Sequence, residues 1–422
     1  MMKIHSGWKA AMLGTAAAAL VITSYVSNGE GKQEADAAAV HAKNVILFVG
    51  DGMGLAARDA IRLATVGETG KLAMDDMPYV GLFHTSSTVP VTDSAAAATA
   101  FASGVKTYNG AIGMDANKKS VKTILEYAKD LGKATGIVTT SQVTDATGAA
   151  FGSHVEDRSK QSDIALQYLT SAKIDVLLGG GEDFWYPAGT AGAFQDEPAE
   201  DPSEKSKGTQ GNLVTKAQSL GYNYVTNKTD LLKAKGDKLL GLFANEEMFQ
   251  QKPEGQGDLY NPIVPLPDMT KKAIETLSTN KNGFFLVVEE EATDEMAHNN
   301  NAKLTIKSGQ ELDKAVRIAK NYAKAHPETL VLVLSDHETG GFSIEPVDAA
   351  DESGDGISAE DGPFQIAGTK KNFVVDWTTS GHTAVDIPVT ATGSRSELFA
   401  GVYENTDIFF KIAEAMGIKV KK

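Results

Sequence analysis

Carboxylates and imidazoles recur in five short stretches of the chain, each placed just after a run apolar enough to be a buried strand. They are Gly50-Asp51-Gly52, Asp145-Ala146-Thr147, Glu289 through Asp294 to His298, Asp336-His337 and Gly381-His382. Such groups are costly to bury unpaired, so a fold that gathers them at strand ends points to metal ions held among them. Asp294 and His298 are spaced i, i+4 and share one side of a helical turn, with Glu289 at the end of the strand before them. Any one of these histidines, taken alone, reads as a satisfied structural residue; three of them with five carboxylates at strand ends read as metal ligands.

A sixth element is Ser94, in Val91-Thr92-Asp93-Ser94 followed by four alanines. Asp93 or Thr92 is suited to cap a helix of small residues. Ser94 then falls in the first turn, where free amides and the helix dipole favour an alkoxide or a phosphate. The glycines around Asp51 allow backbone to pass close to a bound group.

These residues need a scaffold that brings both ends of the chain together. Continuous apolar runs predict strands at Asn44–Val49, Ala134–Thr140, Ile174–Leu178, Phe284–Val288 and Leu330–Leu334, and helical stretches such as Val121–Leu131, Ser162–Ala172 and Leu304–Ala325 lie between them. The alternation predicts a three-layer α/β/α sandwich around a large, mainly parallel sheet, with ligands at the carboxyl ends of the strands. Because the candidate ligands span the sequence, residues 44–422 read as one catalytic domain. Two stretches break the rhythm and read as surface inserts, one at 185–211 and one beginning at 348 and running to 368–375.

The 422 residues, 42% of them hydrophobic, suffice for a substantial core. Lys3 and Lys9 followed by the apolar Ala10–Val26 read as an export signal over residues 1–27, with cleavage somewhere in 27–43 and no stable membrane insertion after processing. The protein is therefore expected to be exported, whether periplasmic, wall-associated or secreted. It carries no cysteine, so neither disulfides nor a lipidated terminal Cys are available. The formal charge is −15, and it becomes −17 once the signal's two lysines are removed. That balance argues against nucleic acid or an anionic membrane as a partner.

Taken in order, Asn44-Val-Ile-Leu-Phe-Val-Gly-Asp-Gly-Met-Gly, Asp93-Ser94-Ala-Ala with Gly-Val-Lys-Thr-Tyr-Asn-Gly after it, Asp145-Ala-Thr through His154 to Arg158, Glu289 with Asp294 and His298, Ser335-Asp-His and Ser380-Gly-His-Thr resemble the bacterial alkaline phosphatase family. The likeness runs discontinuously from about Asn44 to Ile418. It implies two zinc ions and one magnesium: one zinc on Asp294, His298 and His382, a second on Asp51, Asp336, His337 and the Ser94 oxygen. Magnesium would take Asp51, Asp145, Thr147 and Glu289. The donor types agree with that division, nitrogen and carboxylate for zinc and oxygen alone for magnesium. Five carboxylates and a Ser94 alkoxide would balance three divalent ions, leaving Arg158 to meet a phosphate dianion.

The resemblance implies hydrolysis of small phosphate monoesters through a phosphoserine at Ser94, with Arg158 gripping the phosphate, and a homodimer. His84 and His154 match no ligand position and read as structural. Sulfatases of related fold need a Cys/Ser-x-Pro-x-Arg context that is absent around Ser94, and related phosphodiesterases lack the magnesium set. A non-enzymatic phosphate or metal binder would not need both Ser94 and Arg158. One residue departs from the family: many relatives carry Lys, His or Trp where this chain has Glu295.

Overall fold

The computed structural model describes residues 41–347 and 360–420. The export signal read at 1–27, and the part of the second insert at 348–359, lie outside them.

Among the described residues, fifteen strands form one long sheet and two small ones, accompanied by eleven α-helices. In chain order the strands are β1 (Asn44–Gly50), β2 (Tyr79–His84), β3 (Ala134–Gln142), β4 (Val176–Gly180), β5 (Asn223–Val225), β6 (Leu239–Leu242), β7 (Phe284–Glu290) and β8 (Thr329–Leu334). There follow β9 (Glu338–Thr339), β10 (Ser343–Glu345), β11 (Asp361–Gln365), β12 (Asn372–Asp376), β13 (His382–Thr383), β14 (Ile387–Gly393) and β15 (Gly401–Glu404). The helices are α1 (Leu55–Val66), α2 (Ser94–Ser103), α3 (Ile124–Asp130), α4 (Ala146–Gly152), α5 (Gln161–Thr170), α6 (Leu213–Ser219), α7 (Lys228–Lys233), α8 (Leu266–Leu277), α9 (Ala292–His298), α10 (Ala302–Ala325) and α11 (Asp407–Ala415).

The main sheet has ten strands in the order β15-β2-β14-β8-β1-β7-β3-β4-β6-β5, and β14 alone runs against the rest. β1 lies at its centre, with Val49 opposite Glu289 of β7 on one side and Leu334 of β8 on the other. Alternate residues of each central strand enter different cores. Val45, Leu47 and Val49 pack with α2, α3, α4, α5 and α11, while Ile46 and Phe48 pack with α1, α8 and α10. Burial on both faces is why these strands read as unbroken apolar runs.

The expected strands and helices are present with ends displaced by a few residues, and the expected α/β/α layering is observed. β2 and β15 alternate or are largely exposed, and β5 is short, so none of these gave a continuous apolar signal. Of the first insert, Trp185 is fully buried and anchors the stretch, which then runs over the surface. The described part of the second insert is not irregular throughout: it holds β11 and leads into β12, which pairs with β10 and β11 in a three-stranded sheet, while β9 and β13 form a separate pair.

Helix α2 is built for close approach: all ten residues are buried, it packs on α4, and it ends at Gly104 in the left-handed region (φ 76°). Helix α3 carries a capping box, in which the Thr123 side chain accepts from the Glu126 amide while the Glu126 carboxylate takes the Thr123 amide. The buried Thr123 hydroxyl also donates to Phe151 O at 2.6 Å, tying α3 to α4. Thr123→Ala is expected to cost about 1–2 kcal/mol, seen as a lower urea midpoint with an unchanged slope.

Candidate active site

Two ligand sets form where the central strands end. In the first, His337 Nε2 stands 3.5 Å from Asp51 Oδ1, 3.1 Å from Asp336 Oδ2 and 3.1 Å from Ser94 Oγ. All four residues are buried, and Asp51 Oδ1 and Asp336 Oδ2 have no hydrogen-bond partner. A tetrahedral ion with bonds of about 2.0–2.1 Å would hold its ligand atoms about 3.3 Å apart, so the spacing and the orphaned oxygens fit zinc. Without a cation, burial and the charges of Asp336 and Asp294 push the Asp51 carboxyl well above the ordinary range.

In the second set, His298 Nε2 lies 3.2 Å from Asp294 Oδ2 and 3.0 Å from His382 Nε2. His382 Nε2 is 3.8 Å from Asp294 Oδ1. His337 also approaches this set, its ligating atoms and those of Asp294 and His382 lying within 4.8 Å of one another. Its Nδ1, however, is 4.0 Å from Asp294 Oδ1 and has Thr339 Oγ1 at 3.3 Å, while its Nε2 faces the first set. His298 is therefore the better-placed third member. Each outer imidazole is fixed by its other nitrogen, His298 Nδ1 on Ser380 O at 2.7 Å and His382 Nδ1 on Thr92 O at 2.9 Å. Burial would lower His298, but the hydrogen bond and charge of Asp294 hold it up at about 9.

Glu289, Thr147 and Asp51 meet behind the first set. The Thr147 hydroxyl donates to Asp51 Oδ2 at 3.4 Å, and Thr139 donates to Glu289 Oε2 at 2.7 Å. Burial raises Glu289 to about 7 despite the hydrogen bonds from Thr139 and Thr147. This all-oxygen corner suits magnesium. Asp145 stands beside it but is turned to Arg158, whose Nη2 donates to both carboxylate oxygens at 2.8 and 3.1 Å.

The local sequence explains the positions. Asp93 caps α2 by accepting from Ala96 N at 3.0 Å through one oxygen. Its other oxygen takes Gly110 N at 2.8 Å and lies 3.7 Å from Arg158 Nη1. It thus fixes both Ser94 and the arginine. Gly52 has φ 61°, and a Cβ there would fall 2.6 Å from Thr339 Oγ1 and into Asp294 Oδ1. Thr339 is a residue that sequence reasoning missed: its hydroxyl donates to Asp294 Oδ1. Its only signal was its place three residues after Asp336. His154 is hydrogen bonded to Gly113 O and Glu126, and His84 to Asp386, and neither belongs to the two sets.

The carboxyl edge of this mainly parallel sheet thus gathers buried carboxylates and imidazoles spaced to hold cations, beside a serine at the start of α2 and an arginine. A family model described as alkaline phosphatase matches residues 42–366 and 358–418. The chain is 34% identical to alkaline phosphatase 3 of Bacillus subtilis (strain 168), over 90% of each protein. It is 33% identical to the alkaline phosphatase of Escherichia coli (strain K12), over 90% of this chain and 87% of that one. The solved alkaline phosphatase from the Antarctic bacterium TAB5 aligns with a TM-score of 0.70 and 31% identity, over 90% of this chain and 99% of that chain. The chain belongs to the alkaline phosphatase family, whose members hydrolyse phosphate monoesters.

The orphaned oxygens give a sign-reversing test. Asp51→Asn is expected to raise the melting temperature of chelator-treated protein, since it replaces one oxygen of a buried carboxyl crowded by Asp336 and Asp294 with an amide nitrogen able to donate to them, a relief of about 1–3 kcal/mol. It is expected to lower that of metal-replete protein, and scanning calorimetry in both conditions checks the reversal.

Proposed function

We propose that Ser94 is the nucleophile of a phosphomonoesterase that works through a phosphoserine, with Arg158 binding the phosphoryl group. The observation that carries this is Ser94 Oγ lying 3.1 Å from His337 Nε2, in one set with two orphaned carboxylate oxygens. Asp51, Asp336 and His337 would hold one zinc, and Asp294, His298 and His382 the other. Asp51, Thr147 and Glu289, with Asp145 beside them, would hold magnesium. When bound, these ions would acidify the serine hydroxyl, stabilise the leaving alkoxide and activate water.

The chain's own residues do the rest. The free amides at the start of α2 favour the ionised Ser94 oxygen and the phosphate that joins it. Ser94 Oγ bonds to phosphorus as the ester P–O bond breaks, the alcohol leaving with the proton given up by the serine hydroxyl; a water oxygen then bonds to phosphorus as the P–Oγ bond breaks, a water proton returns to Ser94 Oγ and inorganic phosphate leaves. Arg158 offers a planar fork to two non-bridging oxygens, and its bonds to Asp145 and its approach to Asp93 set the plane of that fork. The same reading takes residues 44–422 as a single catalytic domain, the protein as exported through its N-terminal signal, and the active form as a homodimer. It is supported by the charged-then-apolar N-terminus and by the family.

Ser94→Ala is expected to lower kcat/KM for p-nitrophenyl phosphate by about a thousandfold or more, about 4 kcal/mol of barrier, while retaining its zinc. Wild-type turnover of that ester should far exceed turnover of bis(p-nitrophenyl) phosphate. A Ser94→Ala protein with undiminished rate and covalent phosphate would overturn the assignment.

Glu295 follows Asp294 and adds a carboxylate where a cation would assist phosphate binding. Glu295→Lys is expected to lower the inhibition constant for phosphate about tenfold, equivalent to about 1.4 kcal/mol, in a competitive inhibition assay.

A further inference from the structure

Beside the reaction centre lies a second gathering of acceptors that the proposed chemistry does not use. It is held together by backbone. Met248 N donates to Thr140 O at 2.9 Å, and Glu291 N donates to the Thr140 hydroxyl at 3.0 Å, so the loop after β6 and the start of α9 meet on the end of β3. Two residues further, Gln142 O takes Asp145 N at 2.9 Å, and the Gln142 side-chain amide donates to Glu247 Oε1 at 2.6 Å. Glu295 follows one turn after Glu291, its amide donating to Glu291 O at 3.3 Å. These bonds bring the backbones that carry Glu247, Glu291 and Glu295 to one end of β3, and Glu291 lies within the fields of Asp145, Glu289, Glu295 and Glu247.

Two oxygens in this group are orphaned. Glu291 Oε2, on a residue 4% exposed, has no hydrogen-bond partner. Neither has Gln142 Oε1, on a residue 8% exposed, whose amide nitrogen is already given to Glu247. Orphaned acceptors buried among carboxylates lack a donor or a cation, and a nearby lysine or arginine would normally supply it. Arg158 is the cation that faces Asp145, and its Nη2 is committed there. Glu247 also lines a cavity of about 540 Å³ with Asn245, Glu204 and Gln250, so this member of the group borders open space.

We propose that Gln142, Glu247 and Glu291, with Glu295 beside them, form a further site for a hydrated alkaline-earth cation, magnesium or calcium, separate from the ions of the reaction centre. The donors are all oxygen and include no imidazole, which selects a hard ion over zinc. Bound there, the cation offsets the repulsion among carboxylates next to the arginine that grips phosphate, the role a basic residue at position 295 would otherwise fill. The site rests on the reading of the reaction centre only in being distinct from the ions assigned there.

The test counts ions. Protein loaded with zinc and dialysed against magnesium or calcium is compared by elemental analysis with Glu291→Gln, Glu247→Gln, Thr147→Ala and the double variant Glu291→Gln/Thr147→Ala. Glu291→Gln and Glu247→Gln should each lose one alkaline-earth ion per chain and keep their zinc, and the double variant should lose one more than Thr147→Ala. Gln142→Glu, which keeps an oxygen at the same point, should retain the ion, whereas Gln142→Leu should lose it. Because zinc loss accompanies unfolding, retained zinc shows that a lost ion reflects the site. If Glu291→Gln and Glu247→Gln both bind as many ions as wild type, or the double variant loses no more than Thr147→Ala, the separate site does not exist. Wild-type turnover of p-nitrophenyl phosphate plays no part in this count, so failure of the catalytic reading would appear independently.

Discussion

Like charges driven together inside a dry edge of a sheet are the constraint on which this molecule turns. β1, β7 and β8 end side by side and deliver Asp51, Glu289 and Asp336 to a region where each is at most 3% exposed. Water cannot screen the carboxylates there, and only part of their hydrogen-bonding capacity is met by the protein. The fold tolerates this because its two apolar cores, filled from alternate residues of the same strands, stabilise the sheet independently of its edge. The cost of the convergence is stored as affinity for cations, so the folded chain is a receptor for positive charge before it acts on any ester.

Around that edge, single residues tie two functions together. Asp93 holds the helix that presents Ser94 and also reaches the arginine, so the nucleophile and the phosphate grip are referenced to one side chain. Thr339 holds Asp294, while backbone carbonyls of Thr92 and Ser380 orient two imidazoles. The imidazoles donate to backbone carbonyls and Asp294 accepts from a buried hydroxyl, so these side chains are already ordered and cost little conformational entropy when substrate arrives.

How much of this was legible in the sequence depended on whether the signal was local. The central strands were visible because burial on both faces leaves an unbroken apolar run, as in Val45–Val49. The cap of α2 was visible because Asp93 and the small residues after it are adjacent. Strands β2, β5 and β15 were not, since exposed or short edge strands carry little apolar periodicity. The turning of Asp145 to Arg158 was invisible too, because a ligand type can be read from a motif but a rotamer cannot. The group built on Gln142, Glu247 and Glu291 was the least accessible of all. Its key bond joins residues 105 apart in sequence, and Gln142 carries no motif of its own.

The reversed strand β14 has a structural reach of its own. Its first residue, Ile387, pairs with Phe83 near the end of β2, so β14 begins at the very edge where its parallel neighbours finish. His382 can thus approach the centre from the segment before a strand, whereas the other ligands follow theirs. Between β8 and β14 the chain leaves that edge and returns to it, and the pairing of His382 with Thr339 and of Thr383 with Glu338 clasps the excursion at its base. Within the excursion, Ser380 carries its carbonyl back to His298, so one ligand is oriented from the loop that the clasp closes. Strands β10, β11 and β12 stand within the same excursion, so a small sheet of its own hangs from the clasp that seats His382.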